Sequence, residues 1–257
     1  MSPHIAPLPA IAALVGAGLL LNVWSGAGDG ASAVPRRTVS AAGGAAGSTG
    51  RPAPQPHIIR PMEIPALGPK IRARLTTANR QAVVVTGGSR NSHQATVMLY
   101  ERDPVQGWRT ASGPWRARNA LRGWTEDHRQ GDLRSPIGVY GLTDAGGRLP
   151  DPGTRLPYEQ ESAFTVSGTG FEGESLDGSF DYVVAINYNR IPHTTPLDRG
   201  RPLGTAKGGG IWIHLDHGGP THGCIALSKG RMKELLRWLD PTKKPVVVMG
   251  PETALGK

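Results

Sequence analysis

The sequence is poor in cysteine and in aromatic residues: it has one cysteine, and Phe, Trp and Tyr make up 5% of its 257 residues. A single cysteine cannot form a disulfide within the chain, so its thiol is free for reactivity. The basic residues are scattered, with no basic run interleaved with aromatic side chains of the kind that marks nucleic-acid-binding surfaces. We therefore expect no nucleic-acid partner.

Glycine and proline are abundant, with 36 and 23 residues, more than a fifth of the chain together. This composition favours many turns and short strands over a helical bundle. The formal net charge is +9. A chain with this charge is attracted to anionic polymers.

The first quarter of the chain differs from the rest. The apolar run from Ile11 to Val23 is too short to span a membrane comfortably, and Ala31-Ser32-Ala33 is a small-x-small cleavage site. We predict that residues 1–33 are an export signal, or an N-terminal anchor if they are not cleaved. Residues 34–63 are rich in Ala, Gly and Pro and predict a disordered linker, because they cannot bury enough apolar surface to fold. The predicted folded domain is 64–257.

Within that domain, apolar and β-branched runs predict strands separated by turns. Residues 82–86 and 95–100 predict a hairpin, and 108–115 extends it to an antiparallel meander. Further strands are predicted at 139–142, at 181–190 as a half-buried strand, and at 245–249. One amphipathic helix is predicted at 229–239, with Ser228 as its N-cap.

Residues 208–227 hold the only cysteine and three of the eight histidines. Ile211 to His214 predicts a strand, Asp216 to Pro220 predicts a loop, and the chain becomes apolar again after Gly223. Cys224 is therefore expected where a loop enters a second short strand. A thiol there, with an imidazole on a neighbouring strand, has the geometry of a cysteine nucleophile with its base.

Other interpretations of these residues remain open. A lone cysteine is often a small buried apolar residue. The spacing of His214, His217, His222 and Cys224 also resembles a zinc ligand set. His217 by itself fits a solvated loop residue.

The segment Thr221-His222-Gly223-Cys224, with His214 upstream, resembles the catalytic signature of the YkuD-like L,D-transpeptidases, and the resemblance covers about residues 80–250. It implies a mainly-β fold, an L,D-transpeptidase-like sandwich or barrel of mixed sheets with one principal helix. In catalysis, Cys224 would be the nucleophile and His214 the base, held by a backbone carbonyl or, less favourably, by Asp216. The backbone of Gly223 and Cys224 would bind an oxyanion.

The same resemblance assigns substrate contacts. His222 and Thr221 would shape the pocket, and Tyr158, Asn189 and Arg190 are candidates for substrate binding. Ala226 stands where many members carry Arg or Asn, so Arg190 is expected to supply the missing positive charge. The six residues between His214 and Thr221 are fewer than in better-known members, which predicts a reduced covering loop.

The implied function is cysteine-dependent acyl transfer on peptidoglycan stem peptides, as a transpeptidase or carboxypeptidase, without cofactor or metal. A catalytically silent cell-wall-binding module and a zinc hydrolase are the alternatives. We expect an exported monomer that is associated with the cell wall or membrane and attracted to anionic cell-wall polymers. Cys224 and His214 are further expected to form a thiolate–imidazolium pair, with the thiol pKa below about 8.5 and the imidazolium pKa above about 6.5.

Overall fold

The structure is a computed structural model that describes residues 61–257. The predicted export signal and all but the last three residues of the predicted linker lie outside this part. Within it, Met62 pairs with Gly107: its N–H donates to Gln106 O, and its carbonyl accepts from Trp108 N. No helix of the described residues is long and apolar enough to span a bilayer.

Strands predominate among the regular elements of the described part, which also has one α-helix of ten residues, two α-helices of a single turn and two short 3-10 helices. The strands are β1 (Gln81–Gly87), β2 (Gln94–Asp103), β3 (Gly107–Arg118), β4 (Trp124–Thr125), β5 (Ser135–Pro136), β6 (Gly138–Gly147), β7 (Tyr158–Gln160), β8 (Val183–Ile186), β9 (Trp212–Leu215), β10 (Ile225–Leu227) and β11 (Val246–Pro251). The helices are α1 (Pro69–Arg72), α2 (Lys229–Trp238) and α3 (Glu252–Leu255).

Nine strands form one mixed sheet in the order β11-β1-β2-β3-β10-β9-β8-β6-β7. Strand β11 also pairs with β6, so the sheet closes on itself as a barrel. The pairs β1–β11, β9–β10 and β6–β7 are parallel, and the other neighbours are antiparallel. The predicted mainly-β fold with mixed pairing is confirmed, and so is the meander of β1, β2 and β3.

Each face of the sheet has its own apolar cluster, because successive side chains of a strand point to opposite sides. The larger cluster contains Val83, Leu99, Trp115, Ile213 and Leu227. Helix α2 packs on this cluster through buried Met232, Leu235 and Leu236, each contributing roughly 1.5–3 kcal/mol of burial free energy. The smaller cluster, on the opposite face, joins β1 and β11 to α3 and to the segment that contains α1.

Two predicted local features differ from the structure. Ser228 occupies the N-cap position of α2, but its side chain makes no capping hydrogen bond. The predicted strand 181–190 is limited to β8, and all four of its residues are buried rather than half-buried. It ends early because the backbone turns, with Asn189 at a φ of 44°.

Candidate active site

The parallel pair β9 and β10 places Cys224 beside His214. Ala226 lies opposite His214 in the register, and Cys224 precedes Ala226 by two residues, so the thiol and the imidazole share one face. Ile213, Leu215, Ile225 and Leu227 face the larger core instead. With strands about 4.8 Å apart and a rise of about 3.3 Å per residue, the two Cα atoms are separated by about 8 Å.

Cys224 is half-buried and free. The N–H of Trp212 donates to its Sγ at 3.4 Å, and the thiol donates to Gly210 O at 3.7 Å. Burial raises the pKa of the thiol to about 11, and the Trp212 N–H opposes this shift only in part. The resting group is therefore a neutral thiol whose proton points at a backbone carbonyl.

His214 is buried, and its Nδ1 lies 2.8 Å from Leu215 O. Because a carbonyl only accepts, Nδ1 carries the proton and Nε2 keeps a free lone pair. The predicted backbone carbonyl partner is thus confirmed. Burial lowers the pKa of His214 to about 4, since charging the ring there loses hydration.

The predicted thiolate–imidazolium pair is wrong for this resting state. Burial moves both pKa values toward the neutral forms, and no hydrogen bond joins Sγ to His214 within residues 61–257. Neither group therefore has the partner that would offset the loss of hydration on charging.

The backbone around Cys224 is held by Thr221, which is buried. Its Oγ1 donates to Cys224 O at 2.7 Å, and its N–H donates to Asn119 O at 3.0 Å. The N–H groups of Gly223 and Cys224 donate to no acceptor in the described part of the chain. Two adjacent unpaired N–H groups beside a thiol are an arrangement that can stabilise an oxyanion.

The segment between β7 and β8 covers this face. Phe180 packs edge-on against His214 at 5.3 Å, and Phe171 packs on the exposed His222 at 4.6 Å. His217 stacks parallel to His214 at 5.8 Å, and its Nδ1 lies 3.1 Å from Glu174 Oε1. The His217 side chain is 5% exposed, so the expectation of a solvated residue is wrong; Glu174 supplies the partner that permits burial.

No three His, Cys, Asp or Glu side chains converge on a possible metal position among residues 61–257. The zinc interpretation of His214, His217, His222 and Cys224 thus finds no support in the geometry. His217 is paired with Glu174 and His222 is directed at Phe171.

The three residues predicted as substrate contacts, on β7 and after β8, all make hydrogen bonds within the protein. Arg190 is buried, and its Nη1 donates to Asp144 Oδ2 at 2.8 Å and to Asn187 Oδ1 at 2.6 Å. Its Nη2 donates to Thr194 O at 2.8 Å, which leaves no open side for a ligand carboxylate.

Asn189 is buried, and its Nδ2 donates to the carbonyls of Gly204 and Gly208. It thereby fixes the loop that leads into β9. Tyr158 donates through its hydroxyl to Leu149 O at 2.8 Å and is half-buried. Its pKa is raised by burial, and the hydroxyl is already paired.

Two residues near the site were missed by sequence reasoning. His128 is buried against Tyr188, with its Nδ1 3.0 Å from Asp132 Oδ1, and a Cβ on Gly223 would lie 3.7 Å from its Cε1. Arg118 lies opposite Ala226 on β3. No local motif marks either one; only the register of β3 and the path of the loop before β5 bring them here.

Comparison with known proteins identifies the family of the chain. The family model for YkuD, described as the L,D-transpeptidase catalytic domain, matches residues 80–248. Searches of curated proteins and of solved structures found no match. The matched range contains β1 to β10 together with the segment that holds His214 and Cys224. Proteins of the family act on peptidoglycan. The chain therefore belongs to the YkuD family of L,D-transpeptidase catalytic domains.

Proposed function

We propose that the protein catalyses cysteine-dependent acyl transfer on peptidoglycan stem peptides, with Cys224 as the nucleophile. One observation carries the proposal. Cys224 and His214 lie on the same face of adjacent strands, and unpaired N–H groups flank the thiol. Family membership supports an L,D-transpeptidase type of activity at a coarser level.

The reaction would start from the neutral pair. His214 Nε2 takes the proton from Sγ as Sγ attacks the carbonyl that precedes the terminal D-residue, and the N–H groups of Gly223 and Cys224 receive the oxyanion. The carbon–nitrogen bond then breaks, and His214 returns the proton to the leaving amine. Its lowered pKa makes the imidazolium a strong acid for this step.

A thioester at Cys224 remains. An amine from a second stem resolves it to a cross-link, whereas water resolves it to a trimmed stem. In both cases His214 again acts as the base and Cys224 regains its proton.

A catalytically silent wall-binding module is the second candidate. The raised pKa of Cys224 favours it, because a thiol that stays protonated at neutral pH is a poor nucleophile until a base accepts its proton. In that case the fold would bind stem peptides without releasing a product.

The test is product analysis with a synthetic stem tetrapeptide, with and without an amine acceptor. We expect release of the terminal D-residue by the parent and none by Cys224→Ala, whose fold is checked by circular dichroism. Binding of the peptide without release would favour the silent module. Equal release by parent and Cys224→Ala would exclude Cys224 as the nucleophile.

We also propose an extracytoplasmic site of action, in agreement with the cell-wall role of the family. In this proposal residues 1–33 act as an export signal or an N-terminal anchor and residues 34–63 as a tether, as their composition predicts. The net charge of +9 would hold the protein near anionic wall polymers.

A further inference from the structure

A groove of about 760 Å³ lies on the sheet face that carries His214, away from the larger core. Its charged lining consists of Arg116, Arg118 and Asp216, and its polar lining comes mainly from β1 and β2. Neither the motif nor the proposed reaction assigns a role to this groove.

The sheet register connects the groove to the thiol. Arg118 lies opposite Ala226, and Ala226 lies opposite His214, so the three form one row across β3, β10 and β9. Trp115 and Ala117 of β3 face the larger core, which places Arg116 and Arg118 on the face of His214. Two strand spacings separate the Cα atoms of Arg118 and His214 by about 10 Å. The small Ala226 lies between them.

Among the described residues, Arg118 uses one of its three guanidinium nitrogens in an ion pair and has the other two free to donate hydrogen bonds. Its Nε lies 3.2 Å from Asp216 Oδ1, and the two side chains are 29% and 31% exposed. Its two Nη groups donate to no acceptor within residues 61–257. The carboxylate of Asp216 accepts in turn from the N–H of Gly218 at 2.9 Å. The Arg118–Asp216 pair is therefore fixed at the Asp216 end, while the Nη groups of Arg118 stay open to a ligand.

The chemistry of the groove selects an anion. Arg116 is exposed and forms no ion pair within the described part of the chain, so two arginines face one aspartate and the lining is net positive. A guanidinium with two free Nη groups matches a carboxylate in a bidentate geometry. Arg190, by contrast, uses both of its Nη groups on internal partners.

We propose that Arg118 binds a free carboxylate of the donor stem peptide and makes the site select stems whose internal carboxyls are not amidated. This rests on the proposed function, since it concerns the substrate of the same thiol. By the register, the Cα atoms of Arg118 and Cys224 are about 8 Å apart. The terminal carboxylate leaves with the D-residue, whereas an internal carboxylate lies several bonds along the stem from the carbonyl at Cys224 and can span this distance. Amidation would replace this charge-assisted contact by a neutral one.

The test compares two synthetic tetrapeptide stems, one with its internal carboxyls free and one with them amidated. The values of kcat/KM for release of the terminal D-residue are measured with the full chain. We expect a preference of about tenfold for the free-carboxyl stem, the usual size of a partly exposed charge-assisted hydrogen bond. Arg118→Gln should remove the preference, and Arg118→Lys should retain part of it.

The matched control is Arg109→Gln, a β3 arginine paired with Asp103 at 3.2 Å outside the groove, which should keep the parent preference. The rate on the amidated stem serves as an internal check: Arg118→Gln should lower it much less than the rate on the free-carboxyl stem, because only a neutral contact is lost there. The role of Arg118 would be overturned if the parent showed no preference for the free-carboxyl stem, or if Arg118→Gln kept that preference. Equal losses of kcat/KM on both stems in Arg118→Gln would overturn it as well. No release from either stem by the parent would instead refute the proposed function and this inference with it.

Discussion

The reactivity of Cys224 toward alkylating agents should follow from burial. The pKa of the thiol rises from 9.0 to about 11, so its thiolate fraction at neutral pH falls by about a hundredfold. Because the thiolate is the reacting species, alkylation should be slower by a similar factor than in an unfolded peptide of residues 221–227. The rate should climb steadily from about pH 6 to about pH 9 with no plateau.

The assay is iodoacetamide labelling at a series of pH values, followed by mass spectrometry of the parent, His214→Ala and the free peptide. His214→Ala should retain the profile of the parent, because burial and not the imidazole sets the thiol pKa. A plateau near pH 5 to 7 in the parent that disappears in His214→Ala would refute this reasoning. It would show that the thiolate–imidazolium pair forms after all.

Three further predictions concern neighbouring residues. The pKa of His214 falls from 6.5 in the unfolded chain to about 4 in the folded protein, so its contribution to stability is present above pH 6.5 and is lost as pH falls toward 4. Urea titrations should therefore show that the free energy of unfolding falls between about pH 7 and about pH 5 by about 2 kcal/mol less in His214→Gln than in the parent. Equal decreases in the two proteins would contradict this. Arg190→Met should lower the free energy of unfolding by about 3–5 kcal/mol, because it leaves the buried Asp144 carboxylate without its ion-pair partner. A higher KM with an unchanged thermal midpoint would instead support the substrate contact expected from the sequence. Thr221→Val should lower the free energy of unfolding by about 1 kcal/mol and slow acylation, because Cys224 O loses its hydrogen-bond donor. Thr221→Ser keeps the hydroxyl and should match the parent in both stability and rate.

Much of the fold followed from local patterns. The hairpin of β1 and β2 and the helix α2 are encoded by short-range alternation and by the 3.6-residue period, and both appear within three residues of their predicted bounds. The strand 181–190 was predicted too long, because alternation does not reveal that the backbone reverses at Asn189. Closure of the barrel through β11 and β6 is a long-range pairing that no local pattern encodes.

The candidate site also has a part that the local sequence predicts and a part that it does not. Thr221, Gly223 and Cys224 lie within four consecutive residues and form one loop around the thiol, and the carbonyl partner of His214 is the next residue. Burial decides the rest. A sequence does not show that Arg190 meets Asp144, that Glu174 covers His217, or that water is excluded from the imidazole. The ion pair was therefore expected for two groups that the fold desolvates.

The central claim is that Cys224 is an acyl acceptor. It is tested most directly by the intact mass of the full chain after incubation with a carbapenem, a β-lactam that acylates nucleophiles by ring opening. We predict one covalent adduct per chain, located on the peptide that contains Cys224 and lost in Cys224→Ala. Loss of the adduct in His214→Ala as well would agree with the role of the imidazole as base. An unmodified parent, or an adduct that persists in Cys224→Ala, would contradict the account.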